Sequence, residues 1–216
     1  MTTIYLIRHG ESTTNLTLTV AGHYNPDLTD KGVMQSNFLI NFFEGKNISK
    51  IYSSDLTRCV KTVEPIANKF NLPILKQENL REIYCGDWEG KFFKDIPVLF
   101  KDDYLKWAQD LSSYRYPNGE SYIETAKRIT DAVKEICENN KNESVIIATH
   151  GDSLKAFIAL NYLKDLKKIN DLDYLPNCSV TIVEYENGNF NFKEIGHTSH
   201  LGDSVTNLPK LNKGIF

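Results

Sequence analysis

Ile4-Tyr5-Leu6-Ile7-Arg8-His9-Gly10-Glu11-Ser12 is the stretch on which the fold turns. Its unbroken apolar and aromatic run reads as a strand buried on both faces, the pattern of a parallel sheet. The run ends on a cation, an imidazole and a glycine, which packing does not require. In open α/β sheets ligands bind just beyond the carboxyl ends of strands. Gly10 would let the backbone turn sharply or approach a ligand. The pattern recurs far downstream as Val145-Ile146-Ile147-Ala148-Thr149-His150-Gly151. Two strands that each deliver a histidine followed by glycine predict two imidazoles meeting at one point.

Between these strands the chain alternates strand and helix signals. Gly22-His23-Tyr24-Asn25-Pro26-Asp27 is loop. Thr29-Asp30 caps a helix to about Phe43 with Phe38, Leu39, Phe42 and Phe43 inward. Ile51-Tyr52 is a short strand, and Ser53-Ser54-Asp55 opens a helix that carries Arg58. Leu72-Pro73-Ile74-Leu75 is a further strand. Gly86-Asp87-Trp88-Glu89-Gly90 is a loop holding an indole. From Phe92 to about Leu111 the pattern is helical but broken at Pro97. Ser121 and Glu124 form a capping box. Ser179 to Tyr185 and Phe190 to Ile195, joined at Asn187-Gly188, form a closing hairpin. The expected fold is α/β: a mostly parallel central sheet with helices on both faces and the hairpin at its edge. One domain over 1–216 is expected, with a helical insertion at about 92–119 over the site.

The 216 residues suffice for a sizeable core, and the net charge is −3 with no Lys/Arg-rich run. That argues against nucleic acid as a partner, so an anionic substrate must be met by locally placed cations. No apolar span of membrane length and no leader are read, and a membrane partner is not expected. The four cysteines are scattered without a CxxC pair, which predicts reduced thiols in a cytoplasmic protein rather than disulfides or zinc. Oligomeric state, monomer or homodimer, is left open.

The polar residues at strand ends and helix starts are Arg8, His9, Arg58, Glu82 and His150. Arginine presents a planar fork suited to phosphate oxygens, and histidine can act as a nucleophile. Phosphoryl transfer needs charge stabilisation on the equatorial oxygens and an acid for the leaving group. No metal or other cofactor is required, and the carboxylates do not cluster at a magnesium-site spacing. Taken alone, Arg58 or Glu82 would read as a surface residue. His23, His197 and His200 have no matching context and are read as loop or surface histidines.

Arg8-His9-Gly10-Glu11-Ser12 with Asn15 resembles the signature of the histidine phosphatase superfamily, the phosphoglycerate-mutase-like family. Leu28-Thr29-Asp30-Lys31-Gly32, Ser53 through Thr62 around Arg58, Leu80-Arg81-Glu82-Ile83, Gly119-Glu120-Ser121 and Thr149-His150-Gly151 follow in that family's order. The resemblance implies His9 as nucleophile, forming a phosphohistidine, with Arg8, Arg58 and His150 holding the phosphate. It implies that Asn15, Gly22 and the Gly151 N–H assist in binding, and that Glu82 protonates the leaving oxygen.

Phosphatases, mutases and a few binding proteins share those motifs. Cofactor-dependent mutases carry Ser-Gly where this chain has Ala21-Gly22, and an arginine pair where Lys91 to Asn118 holds only Arg115. The expectation is a phosphomonoester hydrolase acting on a small metabolite. A phosphoglycerate mutase and a non-catalytic phosphate-binding regulator are the alternatives. Aromatic surface near the site is expected from among Tyr24, Trp88, Phe92, Phe93, Tyr104, Trp107, Tyr114 and Tyr116.

Overall fold

The first strand, β1 (Thr2–Arg8), leads through a short helix α1 (Thr13–Thr17) into α2 (Asp30–Phe43). Then come β2 (Lys50–Ser54), α3 (Thr57–Phe70), β3 (Ile74–Gln77), and the short helices α4 (Ile96–Leu99) and α5 (Lys101–Gln109). The chain continues through α6 (Tyr122–Glu138), β4 (Ser144–Thr149), α7 (Gly151–Asn161), β5 (Val180–Glu186) and β6 (Asn189–His197). These elements come from a computed structural model that describes residues 1–206; residues 207–216 of the expected domain lie outside the described residues.

The six strands form one sheet in the order β3-β2-β4-β1-β5-β6. β3, β2, β4 and β1 run parallel, and the β5–β6 hairpin joins antiparallel at the β1 side. Asn187 and Gly188 take φ of 51° and 84°, the left-handed values that a two-residue hairpin turn demands.

β1 alternates between two cores, as a strand covered on both faces must. Ile4 and Leu6 pack with Ile129 and Val133 of α6 and Leu154 and Phe157 of α7. Ile7, with Tyr5 at the margin, packs with Leu39 and Phe43 of α2 and Val63 and Ile66 of α3. Burying each such side chain contributes about 1.5–3 kcal/mol, so a register slip that exchanged the faces is strongly disfavoured. β1 pairs with β4 so that Leu6 lies opposite Ile147 and Arg8 opposite Thr149. The two His-Gly steps are therefore neighbours at the same end of the sheet.

A third core gathers Trp88, Ile96, Trp107, Leu111, Tyr114 and Tyr116 against Ala126 of α6 and Ala156 of α7. This is where the 92–119 segment sits. Its helical break does not fall at Pro97. Pro97 lies in the first turn of α4, where its missing N–H costs nothing, and the chain breaks at Phe100 with φ −136° and ψ 49°. The helix carrying Arg58 also starts later than read: β2 continues through Ser54, and Ser54 Oγ accepts the Leu56 N–H before α3 begins. The capping box at Ser121 and Glu124 forms as expected. All four cysteines are free and buried. Among the described residues no helix is long and apolar enough to cross a membrane.

Candidate active site

A cavity of about 160 Å³ opens at the carboxyl ends of β1 and β4. Arg8, His9, Arg58, Glu82, Asn15, Gly22 and Gly151 line it, with Asp152 and Tyr174 beside them. Leu18, Val20, Trp88, Phe93, Trp107 and Tyr116 form an apolar and aromatic wall. Of the other expected aromatics, Tyr114 is core, while Tyr24 and Phe92 are about half exposed, at 54% and 48%. Among the described residues no third arginine and no lysine borders the cavity.

His9 is buried, and its backbone continues the sheet by donating to Thr149 O at 3.0 Å. Its Nδ1 lies 2.7 Å from Gly10 O, and a carbonyl can only accept, so Nδ1 carries the proton. Burial, reinforced by the charges of Arg58 and Arg8, holds the imidazole well below its usual range. The ring is neutral, and Nε2 keeps a free lone pair. That is the state a nucleophile needs.

Within the fold Gly10 is needed for a close backbone contact. A Cβ there would lie 2.8 Å from Gly32 O, and one on Gly32 would lie 2.0 Å from Glu11 O. The two glycines let the strand end and the first turn of α2 touch backbone to backbone. Thr62 Oγ1, from α3, accepts the Gly10 N–H at 2.8 Å and fixes the contact.

Arg8 Nη1 donates to Leu175 O, while its buried Nε has no partner among the described residues. A buried guanidinium with a spare donor beside a nucleophile is a ready anion contact. Arg58 is 1% exposed, and each of its nitrogens donates once to the protein, Nη2 to Gly22 O at 2.8 Å, Nη1 to Tyr24 O at 3.0 Å and Nε to His150 Nδ1 at 3.1 Å, which leaves the second N–H of each Nη for a ligand. Gly22 has φ +51°, and a Cβ on it would meet Glu89 Oε1 at 2.0 Å. Glu89 Oε1 accepts the His23 N–H at 2.7 Å and Glu89 Oε2 the Tyr24 N–H at 2.9 Å, which holds the loop around Arg58.

The two imidazoles do meet, with ring centroids 5.2 Å apart. His150 nevertheless does not border the cavity. Its Nδ1 accepts from Arg58, so Nε2 carries the proton and donates to Ser54 Oγ at 2.8 Å. Burial and the adjacent Arg58 and His9 push its pKa well below the usual range. In this arrangement the neutral ring backs Arg58 and offers no free donor to a ligand.

Glu82 is 8% exposed and sits over the N-terminus of α7. Oε1 accepts from Ser153 N at 2.8 Å, Ile83 N at 3.0 Å and Ser153 Oγ at 3.1 Å, and Oε2 accepts from Asp152 N at 3.1 Å. These donors favour the carboxylate. Burial, and then the nearby Asp152, outweigh them and raise the pKa above its ordinary value. A carboxyl whose pKa is raised above its ordinary value is suited to general acid work.

Several residues of the site were not singled out in the sequence. Asp152 Oδ1 accepts from Tyr122 and Tyr174 hydroxyls at 2.9 Å each. Arg128, on a helix that reads as ordinary core-facing, donates to the carbonyls of Asn79, Arg81 and Glu82 at 3.0, 2.9 and 3.2 Å. Its guanidinium also grips Glu120 at 2.8 and 2.7 Å. His23 is a half-buried loop residue with a role beyond the surface reading: Nε2 donates to Glu82 O at 2.9 Å. His200 likewise is half-buried, with Nε2 donating to Cys178 O at 3.0 Å, while His197 contacts Glu194 and Ser199. The adjacency of Asp152 to His150-Gly151 was a usable signal. Arg128 had none, because one arginine on a helix looks like any other.

Among the described residues no three His, Cys, Asp or Glu side chains gather where they could hold a metal ion. Among the described residues the fixed cations that border the cavity are the guanidinium groups of Arg8 and Arg58.

Comparison with known proteins agrees with this geometry. The model of the histidine phosphatase superfamily (branch 1) matches residues 4–198. Phosphoserine phosphatase 1 of Hydrogenobacter thermophilus is 26% identical over 203 residues, covering 94% of this chain and 96% of that protein. A metal-independent phosphoserine phosphatase of Arabidopsis thaliana is 28% identical over 209 residues, covering 94% and 85%. The solved structure of Bacillus stearothermophilus YhfR superposes with a TM-score of 0.89 at 32% identity, covering 93% of this chain and 100% of that one. With a family match across most of its length, a six-stranded mixed sheet and His9 set between two arginines and a buried acid, the chain belongs to branch 1 of the histidine phosphatase superfamily.

Proposed function

We propose that this chain is a metal-independent phosphomonoesterase that hydrolyses a small phosphorylated metabolite through a phosphohistidine at His9. One observation carries the reading. His9 is neutral, its proton is fixed on Nδ1 by Gly10 O, and it shares a cavity with Arg8, Arg58 and Glu82. His9 Nε2 attacks phosphorus. The P–O bond to the alcohol breaks, and Glu82 gives its proton to the departing oxygen. Water then attacks the phosphohistidine, Glu82 takes the proton back, and phosphate leaves. Arg8 Nε, Arg58, the Asn15 amide and the Gly151 N–H stabilise the equatorial oxygens. His150 acts through Arg58.

The segment over residues 92–119 roofs the site of a single domain with Phe93, Trp107 and Tyr116. The substrate is a monoester of a small alcohol. The phosphoserine phosphatases among the relatives make O-phosphoserine the first to try, with 3-phosphoglycerate, α-ribazole phosphate and sugar phosphates beside it. Mutase chemistry has less support. Arg115, the only arginine between Lys91 and Asn118, is 56% exposed, engages Glu124 and Gly119 O, and does not border the cavity. The intact set of His9, Arg8, Arg58 and Glu82 speaks against a non-catalytic regulator. The buried, unpaired cysteines suit a reducing compartment such as the cytoplasm.

Quenching during turnover of labelled substrate should leave an acid-labile, base-stable label on the protein, absent from His9→Ala. A label that persists in that variant overturns the assignment. Activity should also survive a chelator, and hydrolysis of the best monoester should outrun isomerisation of 3-phosphoglycerate supplied with bisphosphoglycerate.

A further inference from the structure

Leu175 to Ser179 wraps the end of β1. Leu175 O accepts from Arg8 Nη1, Ser179 O accepts the Arg8 N–H at 3.2 Å, and Cys178 N donates to Arg8 O at 3.0 Å and His9 O at 3.3 Å. Cys178 takes φ +55° to do so, a left-handed conformation uncommon for a residue with a side chain. Such backbone persists where the surroundings over-determine it, often at functional sites.

At the centre of this wrap, Asn177 is completely buried. Its Nδ2 donates to His9 O at 2.9 Å and to Asn15 Oδ1 at 3.2 Å. The amide cannot be turned around. His9 O can only accept, and Asn15 Oδ1 already accepts the Ser12 N–H at 3.0 Å. The chosen orientation leaves Asn177 Oδ1 buried without a partner among the described residues, so this amide is kept for its two donors.

We propose that Asn177 is a positioning residue that registers the Asn15 amide against the nucleophile. The inference rests on the phosphohistidine reading above. Asn15 belongs to α1, a helix of five residues. Its other holds, Ser12 N and Ser12 Oγ, belong to the same loop, so they orient the amide within the loop but not against the sheet. Asn177 ties that loop to the carbonyl of His9 itself. With Asn15 Oδ1 occupied, the Asn15 NH2 is the end left to meet phosphate. His9 O keeps the Cys178 N–H if Asn177 is lost, so the loss falls on Asn15.

Single-turnover mixing with p-nitrophenyl phosphate reads His9 phosphorylation as nitrophenolate release. Asn177→Ala and Asn15→Ala should each slow it roughly 10- to 100-fold, the scale of a small misplacement of a reacting group. The double variant should lie within about threefold of Asn15→Ala, because residues acting as one unit are not additive. Losses that multiply in full overturn the proposal and leave Asn177 a structural residue. Thermal unfolding monitors folding, and Asn177→Ser replaces Asn177→Ala if the latter does not fold. The wild-type protein offers a reading free of substitutions. Titrated with inorganic phosphate, its Asn15 side-chain NH2 resonances should shift saturably and more than those of Asn177; Asn15 signals that do not move overturn the proposal. If wild type forms no phosphohistidine, the function proposed above fails; if it does and the losses multiply, only this inference fails.

Discussion

Gly151 and the Arg8 guanidinium press against each other: a Cβ built on Gly151 would lie 3.3 Å from Arg8 Nε and 3.4 Å from its Cζ. Parallel pairing of Arg8 with Thr149 brings them together, and the spare Arg8 Nε lies at the contact.

Gly151→Ala is therefore expected to shift Arg8 by a few tenths of an ångström without unfolding the protein, since alanine suits the first turn of a helix. Inorganic phosphate should inhibit roughly tenfold more weakly, a loss of about 1.4 kcal/mol. The unfolding midpoint should stay close to wild type. Unchanged phosphate inhibition would show that Arg8 does not meet the anion.

The raised Glu82 pKa has a direction in pH. As general acid Glu82 must be protonated, so kcat/KM for an alkyl monoester should fall as pH rises through that raised value. Nitrophenolate leaves without help, and its ester should lose this limb. In Glu82→Gln, p-nitrophenyl phosphate should give a burst near one per enzyme followed by slow turnover, because the dephosphorylating water lacks its base. General acid–base help is worth about 10²–10⁴-fold. Equal slowing of both esters with no burst would assign the proton to another group.

Arg128 touches the backbone around the acid and not the cavity. Removing its fork while keeping its stem, in Arg128→Met, takes one of two donors from each of the carbonyls of Arg81 and Glu82, leaving them Ser153 Oγ and His23 Nε2. Burial alone would raise the Glu120 carboxyl, but Arg128, together with the Tyr84 N–H and His23, holds it below the ordinary range, so Glu120 also loses its counter-charge. The variant should lose roughly 10-fold or more in kcat on alkyl monoesters through misplacement of Glu82, and distinctly less on p-nitrophenyl phosphate. Equal losses on both would mean that Arg128 supports the fold in general rather than the acid.

Gly32 sets helix propensity against close packing. Alanine in a helix is favoured over glycine by about 1 kcal/mol. Here a Cβ would sit 2.0 Å from Glu11 O, and backbone cannot step aside. Strain of this kind typically costs about 1–3 kcal/mol or more, so Gly32→Ala should be destabilised overall. Denaturant unfolding at constant slope measures it. A midpoint at or above wild type would show that α2 can move off the strand end.

The strands, the sheet class and the two His-Gly steps were legible because each leaves a local trace, whereas Arg58 and Glu82 stood out only through the order of the motifs around them. Apolar runs mark β1 and β4, Ser121 and Glu124 mark the start of α6, and Asn187-Gly188 marks the hairpin. Pro97 shows where local reading fails. A proline signals a boundary equally well when it opens a helix as when it ends one, and packing of the 92–119 segment chose the former. Gly10 shows the same for glycine: its need is set by Gly32, which no nearby residue announces.

By itself the sequence determined that two buried strands deliver His9 and His150 to one edge, with Arg8, Arg58 and Glu82 available to them. Tertiary structure alone decided where each group lies and what it contacts. It turned His150 toward Ser54 and Arg58 instead of the cavity, raised the Glu82 pKa by burial beside Asp152, and brought Asn177 under His9 and Arg128 under Glu82. Strands and helices repeat with a period that a sequence carries on its face. A side chain gripping a carbonyl 168 or 46 residues away has no period, and only the closed fold places donor and acceptor within 3.2 Å.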